Sequence, residues 1–322
     1  MNITIEKPKV GIISCSTYDE PLLGEKLVEG LNLFGGIGRY IKKDDTVFIK
    51  PNFIRAPRNP NDPPITNPAL LYALCKILKD IGVKPVIGDS PAFGTVQRIL
   101  RKCGYDSKMA KLGVNIVTLK RSARVNRVVV GVEKSFVLSK EVVESDFVIN
   151  VPKLKVHGQM GMTMAIKNIF GCVPGKRKAW RHMSYGDHGD GFAQMIAETF
   201  AAVAPGFTIL DGIVAMQRRG PTGGDPANVG LLFFGEDALA LERIVAEVLG
   251  INPETLPIFR AASSIRIGES KLENIEIVGE QLNQVGKKHL VPTQLGPIRF
   301  SLPRVIKSAV KNIWISCIRK PE

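Results

Sequence analysis

Residues 147–170 read FVINVPKLKVHGQMGMTMAIKNIF. Phe147 to Val151 is an apolar run of strand length, and Pro152 ends it. The spacing predicts a buried strand, then a polar loop through Lys153, Lys155 and His157, then a helix over about 161–170. Outward from this stretch the same rhythm repeats. Val10 to Ser14, Thr46 to Lys50, Lys84 to Gly88, Val114 to Thr118, 207–210, 229–234 and 273–278 read as strands. Residues 20–34, 68–81, 95–103, 191–203, 236–249 and 254–264 read as helices, and the Val-rich 126–138 as a hairpin. Asn67-Pro68 and Gly94-Thr95 supply helix starts. Apolar strands separated by helices predict an α/β fold. Its sheet is mostly parallel with helices on both faces, in two lobes around one crevice. The expected division is an N-terminal lobe over 1–149, a C-terminal lobe over 150–281, and a basic tail over 282–322. In the tail, Ile306, Val310, Ile313, Trp314 and Cys317 recur at helical spacing and predict an amphipathic helix over 303–320.

Apolar residues make up 44% of the 322 and charged residues 23%, which excludes a disordered or disulfide-dense chain. Lys and Arg number 44 against 30 Asp and Glu, a net charge of +14 that favours anionic partners. The five cysteines form no CxxC and predict free, mostly buried thiols in a reducing compartment. The N-terminal residues lack a signal-peptide pattern, and no apolar run has the length of a membrane span. The expected location is cytoplasmic, with peripheral membrane contact through the tail as an option.

The polar residues fall at strand ends. Lys50-Pro51-Asn52, Asp89-Ser90, the 152–158 segment and Asp211-Gly212 each follow a strand. In a parallel sheet these ends share one edge, where ligands bind. Between Phe147 and Tyr185 there is no acidic residue, while Lys153, Lys155, Lys167, Lys176, Arg177, Lys178 and Arg181 accumulate among glycines and methionines. A cationic, glycine-rich segment suits an anion. The candidate catalytic residues are Lys167, His157 and Asp89. The candidate ligand-binding residues are Lys50, Asn52, Ser90, Lys153, Lys155, Asn168, Asp211 and Gly223, and His157 is also the candidate metal ligand. Gly223 belongs to a loop, 220–226, expected to close over the crevice. No GxxxxGK[ST], strand-linked GxGxxG, HExxH or GxSxG is present.

The strings VPKLKVHGQMGMTMAIKNIFGCVPGKRKAWRH, KPNF, GDSPAFGT, ILDGIVAMQRRGPTGGDP and GEDALALERIVAEVLG, in that family's order along about 8–281, resemble the domain of unknown function 362 family. Many of its members carry a ferredoxin-like segment with CxxCxxC spacing. That pattern is absent here, so the resemblance implies no iron–sulfur cluster on this chain alone. A more distant similarity is to the lactate racemase scaffold, carried by His157, Gly161, Lys167 and Pro174-Gly175. In that family the lysine tethers a nickel-pincer nucleotide and the histidine ligates nickel. The similarity therefore implies a shared scaffold and a metal or nucleotide-derived cofactor. Asp89-Ser90 stands where the racemases tend to carry a histidine, so racemase activity is not implied.

The resulting expectation is an enzyme or cofactor-handling protein that binds a small phosphate- or carboxylate-bearing anion at the strand ends. The alternative is an accessory protein that docks to a ferredoxin-like or other redox partner. Nucleic-acid binding ranks last, because aromatics are 7% and do not interleave with the basic clusters.

Overall fold

The computed structural model describes residues 6–59, 62–175 and 189–293. The strands are β1 (Lys9–Ser14), β2 (Thr46–Pro51), β3 (Lys84–Asp89), β4 (Asn115–Thr118), β5 (Ser122–Val129), β6 (Val132–Ser139), β7 (Phe147–Val151), β8 (Lys153–His157), β9 (Gly161–Thr163), β10 (Phe207–Gln217), β11 (Asp225–Gly235) and β12 (Glu276–Gly279). The helices are α1 (Glu20–Asn32), α2 (Pro68–Ile81), α3 (Val96–Lys102), α4 (Asp106–Lys111), α5 (Lys140–Val143), α6 (Ala165–Asn168), α7 (Gly189–Val203), α8 (Ala238–Leu249), α9 (Pro257–Ser264) and α10 (Leu282–Val285).

One sheet runs β12-β1-β11-β10-β7-β2-β3-β4, with β8 added to β10 and β9 to β8. β11 is antiparallel to both its neighbours, and the other strands of that path run one way. The fold is therefore α/β with a mostly parallel sheet. β1 pairs with β11 and β12, so the first strand lies among strands from the second half of the chain. The expected division at residue 149/150 falls inside β7. Alternating residues feed two apolar clusters. Ile13, Val47, Ile49, Ile149 and Ile209 pack with Leu23 of α1 and Leu74 of α2. Ile12, Phe48, Val148 and Leu210 pack with Phe192 of α7, Ile244 of α8 and Phe259 of α9. β5 and β6 form the expected hairpin as a separate sheet.

Helix starts sit where the sequence places them. The Asn67 side chain accepts Ala69 N–H at 2.9 Å ahead of Pro68, and Gly82, at φ 85°, ends α2. Thr95 Oγ1 accepts Arg98 N–H at 3.2 Å and caps α3.

The short helices α4 and α5 were not expected from the sequence, and two further differences bear on the site. The polar loop expected at 152–158 is strand β8, and the helix expected over 161–170 is β9, the short α6 and a 3-10 turn at Ile169–Cys172. Gly161, at φ 71°, turns the chain back so that Lys155 pairs with Thr163 and His157 with Gly161. The methionines at 160, 162 and 164 thus follow the two-residue period of a strand, which a reading for helical spacing misses. The tail helix expected over 303–320 lies outside the described residues.

Candidate functional site

β8 decides the site. Leu154 and Val156 enter the apolar core, so Lys153, Lys155 and His157 share the opposite face. That face looks across β10 towards the starts of α1 and α2.

Lys153 Nζ lies 3.0 Å from Asp211 Oδ2 and donates to the Tyr18 hydroxyl at 2.6 Å. Tyr18 donates to Asp211 Oδ1 at 2.7 Å and accepts Val214 N–H at 3.1 Å. Asn67 N–H, at the start of α2, donates to Asp211 Oδ2 at 3.0 Å. Burial pulls the Lys153 ammonium below its ordinary value, and Asp211 opposes that shift. Burial, then the Asp211 charge, push the Tyr18 phenol well above its own. Sequence reading missed Tyr18. It follows β1, so the strand-end rule applied to the first strand would have found it.

The second pair is Lys50 with Asp89. Nζ and Oδ1 are 2.8 Å apart, and both side chains are buried. Asp89 also accepts Phe53 N–H and Ser90 N–H, each at 2.7 Å. Lys50 Nζ also donates to its neighbour's carbonyl, Pro51 O. A Cβ on Gly171 would stand 2.4 Å from Lys50 Nζ and 2.5 Å from Asp89 Oδ1. Only glycine lets the 169–172 turn lie over this pair.

Lys155 is built differently. Its side chain is 1% exposed, and its ammonium donates to Pro64 O at 2.7 Å. Among the described residues no carboxylate lies within ion-pairing distance of it. Burial and the neighbouring charge of Lys167 depress its proton affinity well below the ordinary lysine value, and Lys153 and Lys50 add to this against Asp89. Thr163, directly opposite on β9, is buried, and its hydroxyl has no hydrogen-bond partner among the described residues.

His157 Nδ1 accepts N–H groups from Gln159 at 3.1 Å and Met160 at 3.3 Å, so a neutral ring carries its proton on Nε2. Lys167, on α6 and half-buried, lines a narrow cleft with Met160, Met162, Met164, Phe259 and Glu242. Glu242, on α8, is a residue the sequence reading missed. It accepts Ile166 N–H at 2.7 Å, and burial pushes its carboxyl up to about 8. Its signal in the sequence was a glutamate inside the apolar run ALALERIVAEVL.

Asn52 Nδ2 donates to Asn168 Oδ1 at 3.0 Å, tying the end of β2 to α6. Lys50, Asn52, Asp89, Ser90, Lys153, Lys155, Asn168 and Asp211 thus stand together at the carboxyl edge, with His157 and Lys167 beyond them. Gly223, at φ 77°, has open space beside it: among the described residues nothing lies within 4 Å of where its Cβ would stand. Its loop does reach the site, since Gly158 N–H approaches Gly220 O at 3.4 Å and a Cβ on Gly220 would meet Val156 O. Among the described residues, no three His, Cys, Asp or Glu side chains gather as a metal-binding group. Cys15, Cys75 and Cys103 are free thiols, and Cys15, Cys75 and Cys172 are buried.

A family model described as Domain of unknown function (DUF362) matches residues 47–247, from β2 into α8. The chain belongs to this family. The matched residues include all the candidate residues above except Tyr18. The chain is 36% identical over 315 residues to the thylakoid-associated protein sll1697 of Synechocystis sp., covering 97% of this chain and 96% of that relative. Among solved structures, the lactate racemase apoprotein of Thermoanaerobacterium thermosaccharolyticum aligns with TM-score 0.46 at 14% identity, over 72% of this chain and 54% of the racemase. A Thermotoga maritima protein aligns with TM-score 0.45 at 11% identity, over 78% of this chain and 60% of that one. This DUF362 chain thus spans about half of the racemase's length.

Proposed function

We propose that this protein binds a small phosphate- or carboxylate-bearing anion at the carboxyl ends of its strands, as an enzyme or as a handler of an anionic cofactor. Lys155 carries this reading. Lys50 and Lys153 each have a buried carboxylate, whereas Lys155, equally buried, has one carbonyl. A buried ammonium group in that position either gives up its proton or takes an anion. An anion beside Lys155 would be held by that ammonium and by the Thr163 hydroxyl. Lys167 is the further anchor from the cleft side, or the nucleophile if the ligand reacts. His157 borders the site at the end of β8, and the 220–226 loop closes it. A nucleotide-derived cofactor would place its phosphate on the same lysines.

Calorimetric titration with inorganic phosphate and with small carboxylates tests this. The wild-type protein binds at least one class, and Lys155→Met weakens that binding tenfold or more while the melting temperature holds or rises. No binding by any probe, or binding that Lys155→Met leaves unchanged, overturns the reading.

We further propose that the protein is cytoplasmic and docks peripherally to an acidic membrane surface. Its relative is thylakoid-associated, its net charge is +14, and no helix among the described residues is long and apolar enough to cross a membrane. Cosedimentation with anionic vesicles at low salt and release at high salt is the expected behaviour. Equal binding to neutral vesicles contradicts it.

A further inference from the structure

Three asparagine side chains form a directed chain that links β2, β7 and α6. Asn150 Nδ2 donates to Ala165 O at 2.9 Å. Asn168 Nδ2 donates to Lys50 O at 2.9 Å and to Asn150 Oδ1 at 2.8 Å. Asn52 Nδ2 donates to Asn168 Oδ1 at 3.0 Å. An amide side chain alone can be turned end for end, because its nitrogen and oxygen are similar in shape. Here it cannot. A backbone carbonyl only accepts, so Ala165 O fixes the nitrogen of Asn150 and Lys50 O fixes the nitrogen of Asn168. The oxygen of Asn168 must then face the nitrogen of Asn52.

The consequence falls on Asn52 Oδ1. It is buried and has no hydrogen-bond partner among the described residues. Its backbone is fixed as firmly as its amide: Asn52 N–H donates to Thr66 Oγ1 at 2.8 Å, and Thr66 N–H donates back to Asn52 O at 3.1 Å. Thr66 lies two residues beyond Pro64, whose carbonyl holds the Lys155 ammonium. A buried amide oxygen left unpaired costs about 1–3 kcal/mol, so an acceptor locked in this orientation asks for a donor.

Resting on the anion reading above, we propose that Asn52 selects an anion that carries its own hydrogen-bond donor. Lys155 takes the charge, Asn52 Oδ1 accepts the ligand's O–H or N–H, and the Thr163 hydroxyl serves in either sense. Phosphate, which keeps a proton near neutral pH, and hydroxycarboxylates both meet this description. Sulfate and simple carboxylates meet the charge requirement and lack the donor. An unmatched donor or acceptor in a closed site is penalised more strongly than a missing methylene, so the discrimination is expected to be large.

The experiment compares two matched pairs by calorimetry at pH 7 on the full chain: phosphate against sulfate, and glycolate against acetate. The donor-bearing member of at least one pair binds at least tenfold tighter than its analogue. A preference within the first pair identifies a phosphoryl ligand, and one within the second a hydroxycarboxylate. Asn52→Leu, which removes the acceptor, brings the preferred pair to within about twofold. Asn168→Leu, which frees the Asn52 amide to turn, lowers the same ratio. Equal wild-type affinity within each pair that binds overturns the selection while leaving the anion site standing. A ratio unchanged in a folded Asn52→Leu protein also overturns it. Silence with all four probes removes the anion site and this inference together.

Discussion

Lys50 Nζ lies 2.8 Å from Asp89 Oδ1, and both side chains are almost wholly withdrawn from water. The pair joins the ends of adjacent parallel strands, β2 and β3, under the 169–172 turn. Removing one member strands the other as a buried charge. Lys50→Met and Asp89→Leu should each destabilise the protein by about 3–5 kcal/mol, and the double variant by less than the sum. Urea unfolding of the three variants measures this, and additive losses would show that the two groups do not act as a pair.

Gly171→Ala tests the fit above that pair. The added methyl would meet Lys50 Nζ at 2.4 Å and Asp89 Oδ1 at 2.5 Å, so the turn or the ion pair must move. A loss of about 1–3 kcal/mol is expected, as for overpacking elsewhere in cores. Thermal unfolding reads it, and an unchanged melting temperature contradicts the contact.

Tyr18→Phe removes one hydroxyl that serves three partners: Lys153, Asp211 and Val214 N–H. The ring still fits, so the effect isolates hydrogen bonding. The expected loss is about 1–3 kcal/mol, because the groups left unpaired are buried. Chemical denaturation decides, and a neutral result would mean that water replaces the hydroxyl.

Glu242 predicts a pH dependence. Burial raises its folded value from 4.5 to about 8, although backbone N–H groups of α6 pull the other way. The folded state therefore holds a proton that the unfolded state has released between those two values. The stability tied to this proton is fully present below about 4.5 and is lost as pH rises through about 8. The slope within that window is at most about 1.4 kcal/mol per pH unit. Glu242→Gln should flatten it, which urea unfolding at pH 5 and pH 8 will show. Equal slopes in both proteins would mean that Glu242 is already ionised at pH 5.

The repeating strands and helices were legible in the sequence because each follows a local rule. Val47, Phe48 and Ile49 alternate between two cores, and Asn67-Pro68 starts a helix, whatever the rest of the chain does. The edge carrying Lys50, Asp89, Lys153 and Asp211 was legible for the same reason: parallel strands put their carboxyl ends together. What the sequence left open depended on partners far along the chain. β8 is a strand because β10 supplies its ladder, more than fifty residues later (Asp211 beside Lys153). A lysine next to an apolar residue looks alike whether its carboxylate waits across the sheet or not. Only the tertiary structure gave Asp89 to Lys50 and Asp211 to Lys153, and left Lys155 with a carbonyl. Only it brought Tyr18 to this edge and Glu242 to the Lys167 cleft, and only it set the direction of the asparagine chain, because two backbone carbonyls distant in sequence fix which end of each amide faces which.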